Sequence, residues 1–367
     1  MITASVGVAL WHGGYRAGGQ LLLAAAAIAC VAVVRPRPRP AALRDPLLAG
    51  LAAAAAANLA SLAWNGTGTA PALAAVAVAV IACWGSAAGP RLGQHVVIAT
   101  AGVGLACATA GLAGLVLHSR PLAERIDGIW RAGGTFEYPP ALGLLAVCAI
   151  AAVLALRAEG TLDRAPAVVA CAVLTAGVVA TFDRAAAIGL VVVAVLFAVR
   201  IPSVRPVVGW TAAVAAVAAV VAIGVAGPST RALERHLRHG PLSSRQDAWR
   251  AAWNGARDRP VLGYGPGTTL PVKPVVATAA PPAEAHDAVL QEALDAGVVA
   301  AVGTAVALIA MLLRGGAATA SRDPVRLACG VAAVGIALSG LYDFTWSFAP
   351  LVLLGALAAL GSREQGA

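Results

Sequence analysis

Residues 139–156 read PPALGLLAVCAIAAVLAL, an apolar run that contains no charged side chain. An α-helix needs about 20 such residues to cross the hydrocarbon core of a membrane. Comparable runs recur along the chain, and the sequence predicts about eleven spans, within a range of ten to twelve. They lie at about 17–34, 47–64, 69–88, 95–117, 139–156, 165–181, 185–199, 206–226, 290–313, 326–341 and 344–361. The predicted fold class is therefore an all-α polytopic membrane protein with one long external loop.

The composition of the whole chain supports this class. Of the 367 residues, 60% are hydrophobic and 12% are charged, whereas about 25% of the residues in a soluble domain are charged. Half of the basic residues lie in short loops between apolar runs, so topology explains the net charge of +9 and we predict no nucleic-acid partner. The six cysteines all fall inside apolar runs and form no C-x-x-C pair, which favours core packing over metal binding.

The arginines in the loops predict the orientation. The first connection carries four of them and should be cytoplasmic, because basic residues collect on that side; they are Arg35, Arg37, Arg39 and Arg44. The chain then divides into about eight spans in residues 1–226, a long periplasmic or extracellular loop at 227–285, and about three spans in residues 286–367. An odd number of spans places the N-terminus outside. Residues 1–11 lack the features of a cleavable signal.

Polar residues are concentrated in residues 243–297. His286 is predicted to lie in the first turn of the ninth span, where it could act as a base. The positions three and four residues further on are Val289 and Leu290, so a partner that orients the ring would have to come from another element. Asp343, in an external turn between the last two spans, is one candidate. An interfacial histidine without a role is the alternative.

Two further external loops carry charged candidates. Arg184 stands between two apolar runs, where an arginine tends to be functional or paired; a plain hairpin end with Asp183 as its local partner is the alternative. Arg131 and Glu137 lie in a loop whose Gly-Gly and Pro-Pro pairs indicate a defined shape. An ordinary connector is the alternative there.

The long external segment contains Arg245, Trp249 and Trp253 at helical spacing. An amphipathic helix on the membrane surface is one interpretation. The other is that its arginines face an anionic ligand, because the planar guanidinium binds phosphate oxygens in pairs. The stretch Gly263–Gly267 is a weak candidate for a backbone turn that approaches such a ligand.

These residue types together suit a reaction on a membrane-embedded diphosphate. The charge of a diphosphate leaving group requires fixed cations, and an acceptor hydroxyl requires a base within hydrogen-bond reach. The sequence shows no carboxylate-rich or His/Cys cluster of the kind that binds a metal. We therefore predict neither a metal nor a cofactor.

Four stretches, in order, resemble the O-antigen ligase and O-antigen polymerase superfamily of bacterial membrane glycosyltransferases. They cover about residues 130–300 and comprise Gly134–Pro139, Thr181–Gly189, Arg245–Gly265 and His286–Gly297. The resemblance implies transfer of a glycan from undecaprenyl diphosphate without a nucleotide sugar or a metal. By matching position, it implies that Arg184 and Arg245, and also Arg131, hold the diphosphate and that His286 activates the acceptor. Asp343, Glu137 and Asp287 are further candidates for orienting or acceptor-side groups.

Three positions depart from the usual pattern of that superfamily. Asp183 replaces a serine before the arginine, Asp287 replaces an asparagine after the histidine, and Pro140 replaces the asparagine of a Pro-Asn pair.

The function expected from the sequence is that of an O-antigen ligase-like transferase in the cytoplasmic membrane, with its site facing the periplasm or the cell exterior. Its expected partners are a lipid-linked glycan donor, a glycan, lipid or protein acceptor, and membrane lipids. A polymerase of the same superfamily is the nearest alternative. A transporter of lipid-linked glycans and an inactive envelope scaffold are alternatives of other classes.

Overall fold

The computed structural model describes residues 16–34, 44–126, 128–227, 242–270 and 284–363. Within those ranges the fold is all-α, as predicted, apart from one short β-hairpin. The helices are α1 Ala17–Val34, α2 Pro46–Asn65, α3 Thr69–Gly85, α4 Leu92–Val116, α5 Pro139–Ala158, α6 Arg164–Ala180, α7 Arg184–Arg200, α8 Arg205–Ala226, α9 Leu242–Asp258, α10 Ala288–Ala296, α11 Val298–Thr319, α12 Pro324–Gly340 and α13 Ala349–Gly361. The antiparallel hairpin joins β1 Ala123–Ile126 to β2 Ile129–Ala132.

Five segments of the described chain are long and apolar enough to cross a membrane: Pro46–Asn65, Leu92–Val116, Pro139–Ala158, Pro202–Ala226 and Val298–Thr319. Five further apolar helices are shorter than a full span, which leaves the count of eleven a prediction. The chain is a polytopic membrane protein on this evidence.

The predicted ninth span, 290–313, is in fact two helices. The helix is interrupted at Gly297, which separates α10 from α11 and has a φ of 82°. A side chain at this position would overlap the carbonyl oxygen of Val261, so the break is also a point of close contact with the external segment. The continuous apolar character of residues 298–313 concealed this corner.

Helix α5 lies at the centre of the bundle. Within the 18-residue window that marks it as a span, 83% of the residues are buried, a larger share than in the other four candidate spans. It packs against α4, α6, α7 and α12. Because Tyr138 is the N-cap residue of α5, the most buried of the candidate spans begins directly at the candidate site.

Helices α2 and α11 are antiparallel and touch backbone to backbone. Gly50 and Gly303 face each other so closely that a side chain on either would overlap the carbonyl oxygen of the other. Small residues allow such close approach between helices in membranes. At one end of this pair Arg314 donates a hydrogen bond of 2.7 Å to Asp45, and at the other end Ser61 bonds the carbonyl oxygen of Asp295.

The two ends of the bundle differ in chemistry. One, called here the arginine-rich end, ties Arg314 and Arg363 to Asp45. The other, called here the site end, gathers the hairpin, the turn between α6 and α7, helices α9 and α10, and the 3-10 turn Phe344–Ser347. The hairpin was not expected from the sequence, because its strands of four residues are too short to show an alternating pattern.

Candidate functional site

Asp343 is the centre of the candidate site. Its side chain is almost fully buried, and its Oδ1 atom accepts hydrogen bonds from the hydroxyl of Tyr138 at 2.7 Å and from the backbone N–H of Phe344 at 2.8 Å. The same oxygen lies 3.1 Å from Nδ1 of His286. The Oδ2 atom lies 3.7 Å from a terminal nitrogen of Arg245. One carboxylate thus connects four elements that are distant in the sequence.

His286 occupies a constrained position at the start of α10. The prediction placed it in the first turn of a helix, but the structure places it one residue before the N-cap, Asp287. Its φ of 51° lies in the left-handed region, which costs a non-glycine residue about 1–2 kcal/mol. Such strained residues cluster at functional sites, where the surroundings hold them in place. The ring packs edge-on against Phe344 at 5.1 Å.

An aromatic wall surrounds the carboxylate. Tyr138, Phe344 and Phe348 stack in sequence, with centroid distances of 4.2 Å and 5.9 Å between neighbours. Burial, and then the nearby carboxylate of Asp343, raise the pKa of Tyr138 well above its ordinary value. Tyr138 therefore remains protonated and donates its hydroxyl hydrogen to Asp343. Tyr138 lies within one of the stretches that carried the resemblance, but sequence reasoning gave it no role.

The three predicted arginines come from three separate elements at the site end. Arg245, on α9, lies with its guanidinium 5.7 Å from the ring centroid of Tyr342, beside Asp343. Arg131, on β2, donates from Nε to the carbonyl oxygen of Thr181 at 2.7 Å. Arg184 is the first residue of α7 and is exposed.

Asp183 lies among these arginines and has a local structural role. Its carboxylate accepts the N–H groups of Ala185 and Ala186 and so caps α7. Burial raises the pKa of Asp183, and the capping bonds and the charge of Arg131 oppose that shift. The acidic residue that departs from the family pattern is therefore occupied by the helix it begins.

Two other candidate acids also have partners. Glu137 forms a 2.6 Å ion pair with Arg16 at the start of α1. Asp287 caps α10 by accepting the N–H of Leu290 at 2.9 Å, and burial raises its pKa. Their contacts favour structural roles over direct participation in chemistry.

Arg245, Trp249 and Trp253 lie on one helix, α9, as their spacing predicted. Helix α9 buries Ala248 and Ala252 against α10, whereas Trp253 is 55% exposed and Trp249 is partly buried. Its position on a membrane surface stays a prediction. The packing of α9 on α10 brings Arg245 to Asp343.

The turn Gly263–Gly267 was a weak candidate for a ligand-binding loop. Three of its backbone donors are directed to α10, and the N–H of Gly263 donates to the carbonyl oxygen of Arg259. Tyr264 and Gly265 donate to the carbonyl oxygens of Leu294 and Asp295, and Gly267 donates to the carboxylate of Asp295 at 2.8 Å. The turn fastens the external segment to the bundle.

A cavity of about 320 Å³ opens beside His286, between α2, α3, α10 and α11. Sequence reasoning did not predict it, because its polar residues come from segments that are distant in the sequence and that only the packing brings together. Asn58 and Glu292 are the clearest examples, since they face each other across a 2.8 Å hydrogen bond although 234 residues separate them.

Residues 169–305 match the family model described as O-Antigen ligase. The matched segment includes Arg184, Arg245 and His286, and it ends before Asp343. The match confirms the resemblance to the O-antigen ligase superfamily that the sequence motifs indicated. A search of curated proteins gave no match.

Proposed function

We propose, from the match of residues 169–305 to the O-antigen ligase family model, that this chain is a glycosyltransferase with a lipid-linked donor. It transfers an oligosaccharide or polysaccharide from undecaprenyl diphosphate to an acceptor hydroxyl. The observation that carries the proposal is the contact of one buried carboxylate, Asp343, with both His286 and Arg245. Asp343 thereby links the candidate general base, His286, to Arg245, the candidate residue for binding the diphosphate.

His286 is the general base in this proposal. The contact between Nδ1 and Asp343 favours the tautomer with hydrogen on Nδ1, because the hydrogen bond of one ring nitrogen sets the state of the other. Nε2 then carries the lone pair that accepts a proton. Asp343 also stabilises the imidazolium that forms, as a buried carboxylate does in other base–carboxylate pairs.

The arginines hold the leaving group. Arg245 presents a guanidinium near the base, and Arg131 and Arg184 add positive charge from the hairpin and from α7. Guanidinium groups suit phosphate because they donate two parallel hydrogen bonds in a fixed plane. Their fixed charge stabilises the negative charge that develops on the departing diphosphate.

The proposed transfer is a substitution at the anomeric carbon and involves no oxidation or reduction. The acceptor oxygen attacks the anomeric carbon of the donor sugar, and the bond from that carbon to the diphosphate oxygen breaks. Nε2 of His286 takes the acceptor proton, and undecaprenyl diphosphate leaves with the electron pair of the broken bond. The proton returns to solvent when the products leave.

The location of the reaction follows from the loop charges. The arginine-rich end lies in the cytoplasm, so the site end faces the periplasm or the cell exterior. In this orientation the site would face the membrane surface on which an exported lipid-linked glycan is available.

The test is complementation of a deletion strain with the wild type, His286→Ala or a matched control, His95→Ala. His95 lies on α4, near its first residue and away from Asp343. We expect wild type and His95→Ala to restore the surface polymer and His286→Ala to insert normally but restore none. Full complementation by His286→Ala would show that the assigned base is wrong and would favour a scaffold or a transporter.

The lipid-linked material that accumulates separates the two reactions of the superfamily. Long lipid-linked chains without finished product indicate a ligase. Single lipid-linked repeat units indicate a polymerase.

A further inference from the structure

The cavity beside His286 differs in charge from the arginine-bearing part of the site. Among the described residues, its lining contains no arginine or lysine but includes four carboxylates: Glu284, Asp287, Glu292 and Asp295. A diphosphate would find no cationic partner among these lining residues, and each carboxylate that is ionised would repel it, because like charges in a partly dehydrated space interact strongly. The lining therefore selects a different ligand from the one that the arginines suit.

Two of the polar groups retain hydrogen-bonding capacity towards a ligand. Asn58 donates to Oε2 of Glu292 at 2.8 Å and also to the carbonyl oxygen of Ala54. These bonds use the donors of the Asn58 amide and leave its Oδ1 atom as an acceptor. Glu292 likewise retains its second carboxylate oxygen. Both acceptors suit the O–H groups of a sugar or the N–H groups of an amine.

Thr304 provides an independent sign of a ligand. It lies on α11, lines the cavity and is 1% exposed. Its Oγ1 atom has no hydrogen-bond partner among the described residues. Leaving a buried hydroxyl without a partner costs free energy, so a group that fills the cavity and bonds Oγ1 would recover that cost.

The remaining lining suits the apolar part of the same ligand. Trp346 offers an aromatic surface near His286, and the deeper wall consists of Leu51, Val78 and Val352. The cavity thus combines acceptors for hydroxyl groups with apolar surface, and it adjoins the ring of the proposed base.

We propose that this cavity binds the acceptor and selects an uncharged or amine-bearing polyhydroxylated group over an anionic one. The assignment rests on the proposed function, since His286 gives the cavity its connection to the reaction. The donor diphosphate and the acceptor then approach His286 from surfaces of opposite charge. Glu292 is the residue that excludes anionic acceptors, and Thr304 and Asn58 position the hydroxyl groups.

The test measures binding rather than transfer. The protein is reconstituted in lipid nanodiscs, and n-octyl β-glucoside and n-octyl β-glucuronide are compared at pH 8, with empty nanodiscs as the blank. The two probes differ in one carboxylate. We expect the glucoside to bind about tenfold more tightly, equivalent to one unfavourable charge contact. Glu292→Gln should narrow that difference by improving glucuronide binding.

Thr304 supplies a matched pair of variants. Thr304→Val preserves the shape and removes the hydroxyl, so we expect glucoside affinity to fall about threefold to tenfold, the effect of one hydrogen bond. Thr304→Ser should retain most of the affinity. If the hydroxyl of Thr304 only supported the fold, Thr304→Val would lower the stability of the protein without ligand. Because this hydroxyl has no partner among the described residues, we expect Thr304→Val to be at least as stable as the wild type without ligand and to lose only glucoside affinity.

Three results would overturn the inference: equal affinity for the two probes in the wild type, unchanged affinity in Thr304→Val, or no binding above the blank. His286→Ala separates the inference from the proposed function. If that variant binds the glucoside selectively but transfer does not depend on His286, the cavity assignment stands and the mechanism fails. If transfer requires His286 but the probes bind equally, the mechanism stands and the cavity assignment fails.

Discussion

Oδ1 of Asp343 lies 3.1 Å from Nδ1 of His286, although 57 residues separate the two in the sequence. The carboxylate belongs to the turn before α13 and the imidazole to the turn before α10. Neither residue lies inside a long helix, so the packing of the helices sets the distance between them. The same carboxylate also accepts a hydrogen bond from the hydroxyl of Tyr138, at the start of the central helix α5.

Asp343→Asn tests whether this contact serves catalysis. The amide preserves the size of the side chain but removes its charge and permits the wrong imidazole tautomer. We expect kcat for glycan transfer to fall by about 10²–10⁴-fold, the usual contribution of general acid–base catalysis. The measurement is transfer by purified protein from a lipid-linked donor.

Asp323→Asn is the matched control. Asp323 also precedes a helix, where it accepts the N–H of Arg326 at 2.9 Å, but it lies at the arginine-rich end. Its kcat should equal that of the wild type. If kcat for Asp343→Asn equalled kcat for Asp323→Asn, Asp343 would have only a structural role.

Arg245→Lys tests whether the guanidinium binds the diphosphate. Lysine keeps the charge but cannot donate two parallel hydrogen bonds to phosphate. We expect KM for the lipid-linked donor to rise about tenfold, as charge-assisted paired bonds are lost. Arg250→Lys on the same helix is the control, because the side chain of Arg250 is 76% exposed. If the donor KM is the same in both variants, Arg245 does not hold the diphosphate.

Gly297→Ala tests the corner between α10 and α11. The backbone of Gly297, with φ 82° and ψ −172°, lies in a region that only glycine adopts readily and that costs another residue about 1–3 kcal/mol, and the methyl group of an alanine would also overlap the carbonyl oxygen of Val261. We expect a lower Tm in detergent. Gly316→Ala, inside α11, should leave Tm unchanged or raise it, because its added methyl group meets no described atom within 4 Å. If the Tm of Gly297→Ala were as high as that of Gly316→Ala, the backbone conformation described for Gly297 would be contradicted.

Glu292→Gln tests the cost of burying an acid. Burial raises the pKa of Glu292 to about 7 in the folded protein, so the unfolded chain loses this proton first as the pH rises. The folded protein therefore loses stability as the pH rises from about 4.5 to about 7, and the loss levels off above that. Glutamine has no proton to lose, so the Tm advantage of the variant should grow across this window.

The control for this titration is Glu124→Gln, on the exposed edge of the hairpin. Its Tm difference from the wild type is measured over the same pH range as that of Glu292→Gln. If the Tm difference between Glu292→Gln and the wild type did not change with pH, the Glu292 carboxyl of the wild type would ionise as readily in the folded protein as in the unfolded chain.

The sequence by itself determined most of the secondary structure. Apolar runs interrupted by charged or proline residues predicted the helices well, as for 139–156, which is α5 over Pro139–Ala158. Burial of apolar surface and backbone hydrogen bonding within each helix are local requirements, so a single run carries the signal. Motifs in the external segments also indicated His286, Arg184 and Arg245 as residues of one superfamily.

The tertiary structure decided the contacts among those residues. The contact of Asp343 with His286, the hydroxyl of Tyr138 and the break at Gly297 depend on how distant segments pack. The pairing of Asn58 with Glu292, which lie 234 residues apart, depends on the same packing, and the hydroxyl of Thr304, without a partner among the described residues, was hidden within an apolar run. Hydropathy records whether a segment can enter a membrane or a core, but the distance between two side chains is set only when the helices that carry them are brought together.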